Sequence, residues 1–271
     1  MNKTSKTRRD FMKLAASGSI LCTVSSLYAF SRLDIGIGTY SYHTVSIDAM
    51  IVQLNLLRIR QIEMSRGEFM LLSHPKAELF RTTREKLDRA GIRCVSYYSA
   101  TIHNAQEVEL AIRFAKILGC SNITGDAPKE VLPIIDHRLT QERLTFGLHN
   151  HFFPNVVFAY ESPEEVWNAI SGLSKTMGAT VDTGQYASCG YSPVDAIRKL
   201  APRLRMVHLK DVKERGSAEN VLLGTGIAHI PAVMHELRRL QLSGLVAIEY
   251  EKNSNDDKDM AEQVAYARRL A

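Results

Sequence analysis

From residue 34 onward, short runs of β-branched and apolar residues alternate with longer stretches whose apolar positions recur at intervals of three and four. The short runs predict strands over 34–40, 61–65, 93–98, 122–125, 145–150, 179–182, 205–210 and 245–250. Between them, Val108, Ala111, Ile112, Ala115 and Leu118 form one apolar stripe. Ile230, Val233, Met234, Leu237 and Leu240 form another. Ser162-Pro163-Glu164-Glu165 predicts a helix start, with a capping hydroxyl, proline in the first turn and carboxylates near the positive end of the dipole. Gly91 and Gly119 follow helical stretches and immediately precede strands, where a left-handed cap is needed.

Strict alternation of strand and helix implies a parallel sheet covered by helices. Eight strands within roughly 250 residues is what a closed (β/α)8 TIM barrel requires. The sequence therefore predicts one α/β domain over 34–271, preceded by a separate segment over 1–33. An open doubly wound sheet would show a glycine-rich phosphate loop after its first strand. Ile35-Gly36-Ile37-Gly38 places its glycines inside the strand instead, and Gly224-Thr225-Gly226 is too isolated to count as a nucleotide site.

Charge sharpens the division at residue 33. Residues 1–33 hold six basic side chains against Asp10, a net +5, and the whole chain is also +5. The remainder is thus neutral, which gives nucleic acid no reason to bind. Thr7-Arg8-Arg9-Asp10-Phe11-Met12-Lys13 resembles a twin-arginine export motif, and a mostly apolar stretch without charges follows over 14–30. This predicts passage through the twin-arginine translocase to the periplasm, a route that carries folded proteins. Leu21 is bulky where a lipid-anchored Cys22 would want a small neighbour. Cys94 and Cys120 sit in or beside apolar runs and read as core residues; with Cys189 they make an odd set without a CxxC pair.

Polar residues gather where the strands end. Strand five ends in His149-Asn150-His151, strand six in Asp182-Thr183-Gly184-Gln185 and strand seven in His208-Leu209-Lys210-Asp211. In strand eight, Glu249 interrupts the apolar run Leu245-Val246-Ala247-Ile248, where an unpaired carboxylate would be costly. In a parallel barrel these ends share one rim, which is where active sites form. His149, Asp182, His208 and Glu249 are therefore the candidate ligands of one divalent metal ion. Their mixed imidazole and carboxylate donors suit Mn, Zn, Co or Fe. Alternation lets His149 and His151 both face the mouth, which leaves open which of them is the ligand, and His208 and Lys210 likewise share a face.

The segments Leu148-His149-Asn150-His151, Val181-Asp182-Thr183-Gly184-Gln185, Val207-His208-Leu209-Lys210-Asp211 and Ala247-Ile248-Glu249-Tyr250-Glu251 resemble those of the xylose-isomerase-like barrels, the sugar phosphate isomerase/epimerase superfamily. The resemblance runs from about Leu33 to the end of the chain. It implies a metal-dependent enzyme of carbohydrate metabolism that acts on a small-molecule carbohydrate, and a homo-oligomer in keeping with the family's habit. Two positions depart from the pattern. Many epimerases of the family have Glu where this chain has His149, and His where it has Gln185. Losing a carboxylate weakens the case for symmetric epimerisation, and the His-Asn-His pattern resembles the dehydratase and keto-sugar lyase branches more closely.

The expected chemistry is enolisation of a sugar, keto-sugar or polyol, ending in isomerisation or epimerisation. The alternative is β-elimination from the same enediolate, as in a dehydratase or keto-glycoside lyase. A further alternative, from a different class, is a non-catalytic metal- or carbohydrate-binding barrel. Glu249 is the candidate base, His151 the candidate acid or second base, and Lys210 the candidate holder of a hydroxyl or oxyanion. Glu63, His103, Tyr40 and Gln185 are candidate substrate contacts. His43, Tyr42, Phe152 and Phe153 are further rim or loop residues that could line the pocket.

Overall fold

A computed structural model describes residues 33–252 and 257–271. The segment expected to direct export, with Cys22, lies outside the described residues. Eight parallel strands close into a barrel: β1 (Ile35–Gly38), β2 (Gln61–Met64), β3 (Arg93–Thr101), β4 (Asn122–Asp126), β5 (Thr145–His149), β6 (Met177–Asp182), β7 (Leu204–Leu209) and β10 (Val246–Ile248). Each predicted strand is present. A two-stranded antiparallel ladder, β8 (Asp211–Val212) with β9 (Asn220–Val221), projects from the loop after β7.

The surrounding helices are α1 (Ile47–Leu56), α2 (Ala77–Arg89), α3 (Ala105–Leu118), α4 (Leu132–Glu142), α5 (Pro163–Ile170), α6 (Thr183–Cys189), α7 (Pro193–Leu200), α8 (Ile230–Arg239) and α9 (Asp257–Leu270). Every residue of the predicted α3 stripe is buried against the sheet. At the start of α5, Ser162 and Glu165 exchange hydrogen bonds in a full capping box. Gly119 ends α3 at φ 75°, a conformation that favours glycine. Cys94 and Cys120 are buried free thiols, with Cys120 Sγ donating to Cys94 Sγ at 3.3 Å. Among the described residues no helix is long and apolar enough to cross a membrane.

Beyond the strand ends the backbone ladder stops, and polar side chains continue it. Asn150 accepts from Asp182 N at 2.8 Å and donates to Asp182 O at 3.2 Å, tying β5 to β6. Thr183 Oγ1 accepts from Lys210 N at 2.9 Å and donates to Lys210 O at 2.6 Å, tying β6 to β7. Ser41 Oγ accepts from Tyr250 N at 3.0 Å, and Thr39 Oγ1 from Ser65 N at 2.8 Å, on either side of β1. Buried backbone groups must find partners. These side chains satisfy them at the rim and thereby fix the direction in which the next side chain points.

Candidate metal centre

His149, Asp182 and His208 come together as a buried group whose ligand atoms all lie within 4.8 Å of one another. Their strands are consecutive, and the β6–β7 register sets Asp182 directly opposite His208. Asp182, fully buried at 0 % exposure, also caps α6 by accepting from Gln185 N at 2.9 Å through Oδ1, which leaves Oδ2 to face the imidazoles. Glu249 follows the last residue of β10, and its Oε2 lies 3.4 Å from His208 Nδ1.

The donor atoms of His149, Asp182 and His208 are close enough together to share one ion. His149 Nε2 and His208 Nδ1 are 2.9 Å apart, each is 3.9 Å from Asp182 Oδ2, and the His208–Glu249 edge is 3.4 Å. Ligands about 2.0–2.2 Å from a tetrahedral cation would lie about 3.3–3.6 Å from each other, in the middle of that range. Asp182 Oδ2 is buried and faces the imidazoles, with the Lys210 ammonium 3.0 Å away. His149, Asp182 and His208 therefore form a group that could hold a divalent ion, and Glu249 stands beside it against His208.

Tautomers support the same fit. His208 Nε2 meets Glu63 Oε2 at 2.5 Å, so its proton belongs on that side and Nδ1 presents a lone pair to the centre. Burial opposes charge on His208, but Glu63, then Glu249, outweigh it and push the pKa up to about 9 in the metal-free protein. His149 goes the other way. Burial, then the positive fields of His151, His208 and Lys210, hold it well below the usual imidazole range, so it is a neutral ligand.

Glu63 has a different place from the one the sequence suggested. It was expected to touch substrate, yet it is fully buried inside the barrel. Its Oε1 accepts from Ser96 at 3.0 Å and from Thr124, while Oε2 holds His208. Burial raises its pKa, but His208 and the two hydroxyls more than offset this and keep it ionised. With both oxygens taken below the ligands, Glu63 orients one of them and has no free face for substrate.

Lys210 is buried among three carboxylates, with Nζ 3.0 Å from Asp182 Oδ2, 3.0 Å from Glu249 Oε2 and 2.6 Å from Glu251 Oε1. Burial opposes its charge, but Asp182, Glu249 and Glu251 prevail and raise its pKa well above normal. Gly184 makes room for it: a Cβ there would stand 2.7 Å from Lys210 Cγ. Glu249 feels burial most, which Lys210 and His208 only partly offset, and its pKa lies above the ordinary carboxylate value. Glu251 is lowered, because Lys210 outweighs the effect of burial.

His151 stands beside the cluster, its ring 4.6 Å from that of His149, stacked on Phe158 and 3.1 Å from Asp126 Oδ2. Burial raises the Asp126 pKa, but His151 overcomes this and holds it down. Gln185 and Lys210 line a chamber of about 90 Å³ together with Glu251, Phe152 and Phe153. Tyr40 stacks on His43 with 4.9 Å between ring centres, and burial, then Glu251 and Glu249, raise its pKa. His103 is exposed, with its backbone N–H bound by Glu107. Tyr42 is buried in the apolar core, not at the mouth.

Three contributors were not singled out from sequence. Asp126 closes β4, one residue past the predicted strand end, and only its position at a strand terminus hinted at a role. Asn150 sits between the two histidines as a backbone clamp. Asp211 is buried and accepts from the N–H groups of Val212, Gly224, Gly226 and Ala228 at 2.9–3.0 Å. Gly224-Thr225-Gly226 is thus part of a nest for an internal carboxylate.

A barrel closed by eight parallel strands, with this donor set on four successive strand ends, agrees with the family whose sequence model matches residues 60–270. The chain belongs to the xylose isomerase-like TIM barrel family. A search of curated proteins finds no match. Among solved structures, it is similar to an uncharacterised protein of Parabacteroides distasonis at 22 % identity, covering 88 % of this chain and 99 % of that one, with a TM-score of 0.66. It also resembles the probable 3-DHS dehydratase AsbF of Bacillus anthracis, at 12 % identity, 86 % and 99 % coverage and a TM-score of 0.69. A third is the IolI protein with a bound zinc atom, at 13 % identity, 88 % and 97 % coverage and a TM-score of 0.72. At such identities these structures establish the shared fold.

Proposed function

We propose that this family member is a metal-dependent enzyme that removes a proton next to a carbonyl group of a sugar, keto-sugar or polyol, as a sugar isomerase or epimerase does. The supporting observation is the buried group of His149, Asp182 and His208 on successive strand ends, with Glu249 Oε2 3.4 Å from His208 Nδ1. A zinc atom in IolI, of the same fold, is consistent with it. When bound, a divalent ion supplies Lewis-acid polarisation of the carbonyl oxygen.

In this reading the protein moves the proton. Glu249 is the base: burial raises its pKa above the ordinary carboxylate value, which makes it a better proton acceptor. Its Oε2 is flanked by Lys210 and His208, while Oε1 lies over Gly38 clear of those partners and is the atom assigned the proton. Lys210, kept charged, balances the carboxylates and turns its ammonium toward oxygen atoms in the adjoining chamber. His151, backed by Asp126, is the proton donor.

The His151–Asp126 pair also favours elimination as a second reading. With a neutral imidazole at position 149, Glu249 works without an opposed carboxylate there. A carboxylate-backed imidazole is well suited to protonate a departing oxygen. Incubating the metal-loaded protein with 3-keto-glucosides, inososes and simple ketoses in D₂O, followed by NMR, separates the outcomes. Deuterium uptake with the carbon skeleton and substituents intact supports isomerisation, and loss of a substituent supports elimination. Full metal content in both His149→Ala and Glu249→Gln, with no solvent exchange into any substrate, would leave only a binding protein.

Export belongs to the same proposal, with residues 1–33 carrying the twin-arginine address. Replacing Arg8 and Arg9 by lysine and fractionating cells tests it: retention of the double variant in the cytoplasm is expected, and unchanged periplasmic delivery refutes it.

A further inference from the structure

The polar chamber beside Lys210 and Glu251 is small, about 90 Å³, whereas pockets for small molecules run to roughly 300–1,000 Å³. Phe152, Phe153 and Ser188 form its wall, and the same three residues also wall a second, outer groove of about 570 Å³. That outer groove is bordered by apolar side chains in unusual exposure. Val157 is 92 % exposed, Phe153 57 % and Tyr191 42 %. Isolated apolar residues on a surface need no explanation, but a cluster rimmed by polar groups marks a binding surface.

The outer groove is also built. Phe153 and Val156 pair as an antiparallel bridge, with Val156 N donating to Phe153 O at 3.1 Å. Asn155 takes φ 65° in the turn between them, which holds both apolar side chains on a tight loop. Glu161 and Arg215 lie at the polar margin. A polar chamber next to the proposed reacting centre, continuous over two phenylalanines with an exposed apolar groove, matches an amphipathic ligand.

We infer that the substrate is a glycoside whose sugar occupies the rim chamber and whose ring-sized apolar aglycone lies in the Phe153–Val157–Tyr191 groove. This rests on the proposed function for the sugar half, while the groove itself can be tested without turnover. The probes are phenyl β-glucoside and methyl β-glucoside, titrated into the metal-loaded protein and followed by ligand-observed NMR and calorimetry. Phenyl glucoside is expected to bind about tenfold more tightly, the size of effect that modest apolar complementarity provides. Val157→Ser and Tyr191→Ser should each reduce the phenyl-to-methyl affinity ratio, and the double variant should bring it near one.

Equal binding of the two glycosides, or a ratio unaltered in the double variant, overturns the inference. So does sedimentation showing a stable dimer in which hydrogen exchange at 152–157 is protected, since the groove would then be covered by a second copy. A strong phenyl preference without turnover of any keto-sugar would uphold the groove and reject the enolisation chemistry.

Discussion

Replacing Glu63 by glutamine removes one charge and almost no volume from the interior of the barrel. Glu63 Oε2 holds His208 Nε2 at 2.5 Å, and the pair is fully buried. Glutamine can still accept the His208 proton through its carbonyl, so the ring orientation survives while the electrostatic support is lost. Changes of this kind, one shell behind a ligand, cost about 10- to 100-fold in metal affinity, or roughly 1.4–2.8 kcal/mol. The metal-free protein supplies a second magnitude. His208 is raised from 6.5 to about 9 in the folded state, chiefly by Glu63 against the opposing effect of burial.

A group whose folded pKa is raised contributes stability that is complete below the unfolded pKa and lost as pH rises through the folded one. The wild-type metal-free protein should therefore lose about 3 kcal/mol between pH 6.5 and pH 9 from this pair alone. In Glu63→Gln that slope should flatten, because burial then dominates at His208. The assays are chelator competition for affinity, and urea unfolding of metal-free protein at several pH values. Unchanged metal affinity together with an unchanged pH slope would falsify the assignment of Glu63 as the residue that orients His208.

Three further outcomes follow from the same geometry. Metal loading should raise the unfolding temperature measurably, since a site at a thousandfold excess over Kd adds about 4 kcal/mol; a melting curve that ignores both metal and chelator counts against the centre. Gly184→Ala should displace Lys210, whose Cγ lies 2.7 Å from the added methyl position, and lower kcat/KM at least tenfold with the fold retained by circular dichroism. Asp211→Ala leaves backbone N–H groups at Gly224, Gly226 and Ala228 without their acceptor, and should destabilise the protein by about 3 kcal/mol. Hydrogen exchange confined to 212–228 would show it, and uniform protection there would refute it.

The order of strands and helices was legible in the sequence because burial on a sheet or helix face imposes a period on apolar residues. The α3 stripe, the Ser162 capping box and the eight strand runs are patterns that can be read within short stretches of sequence. The donor types at the rim were legible for a related reason: a carboxylate such as Glu249 inside an apolar strand is costly unless something compensates for it. Glu63 carried the same signal and was given the wrong partner, because sequence shows that a buried charge needs compensation but not which group provides it.

That choice belongs to barrel closure. Bringing β2 and β7 across the interior sets Glu63 against His208, residues far apart in the chain, and turns an apparent substrate contact into a support for a ligand. Closure likewise converts Lys210 from a strand-end lysine into an ammonium enclosed by Asp182, Glu249 and Glu251. It also brings the Gly224–Gly226 amides around Asp211. Periodicity and residue type, which are local, determined the fold and the chemical character of the rim. Register and closure, which depend on distant segments meeting, decided which atom of each residue faces its neighbours and is left free to act.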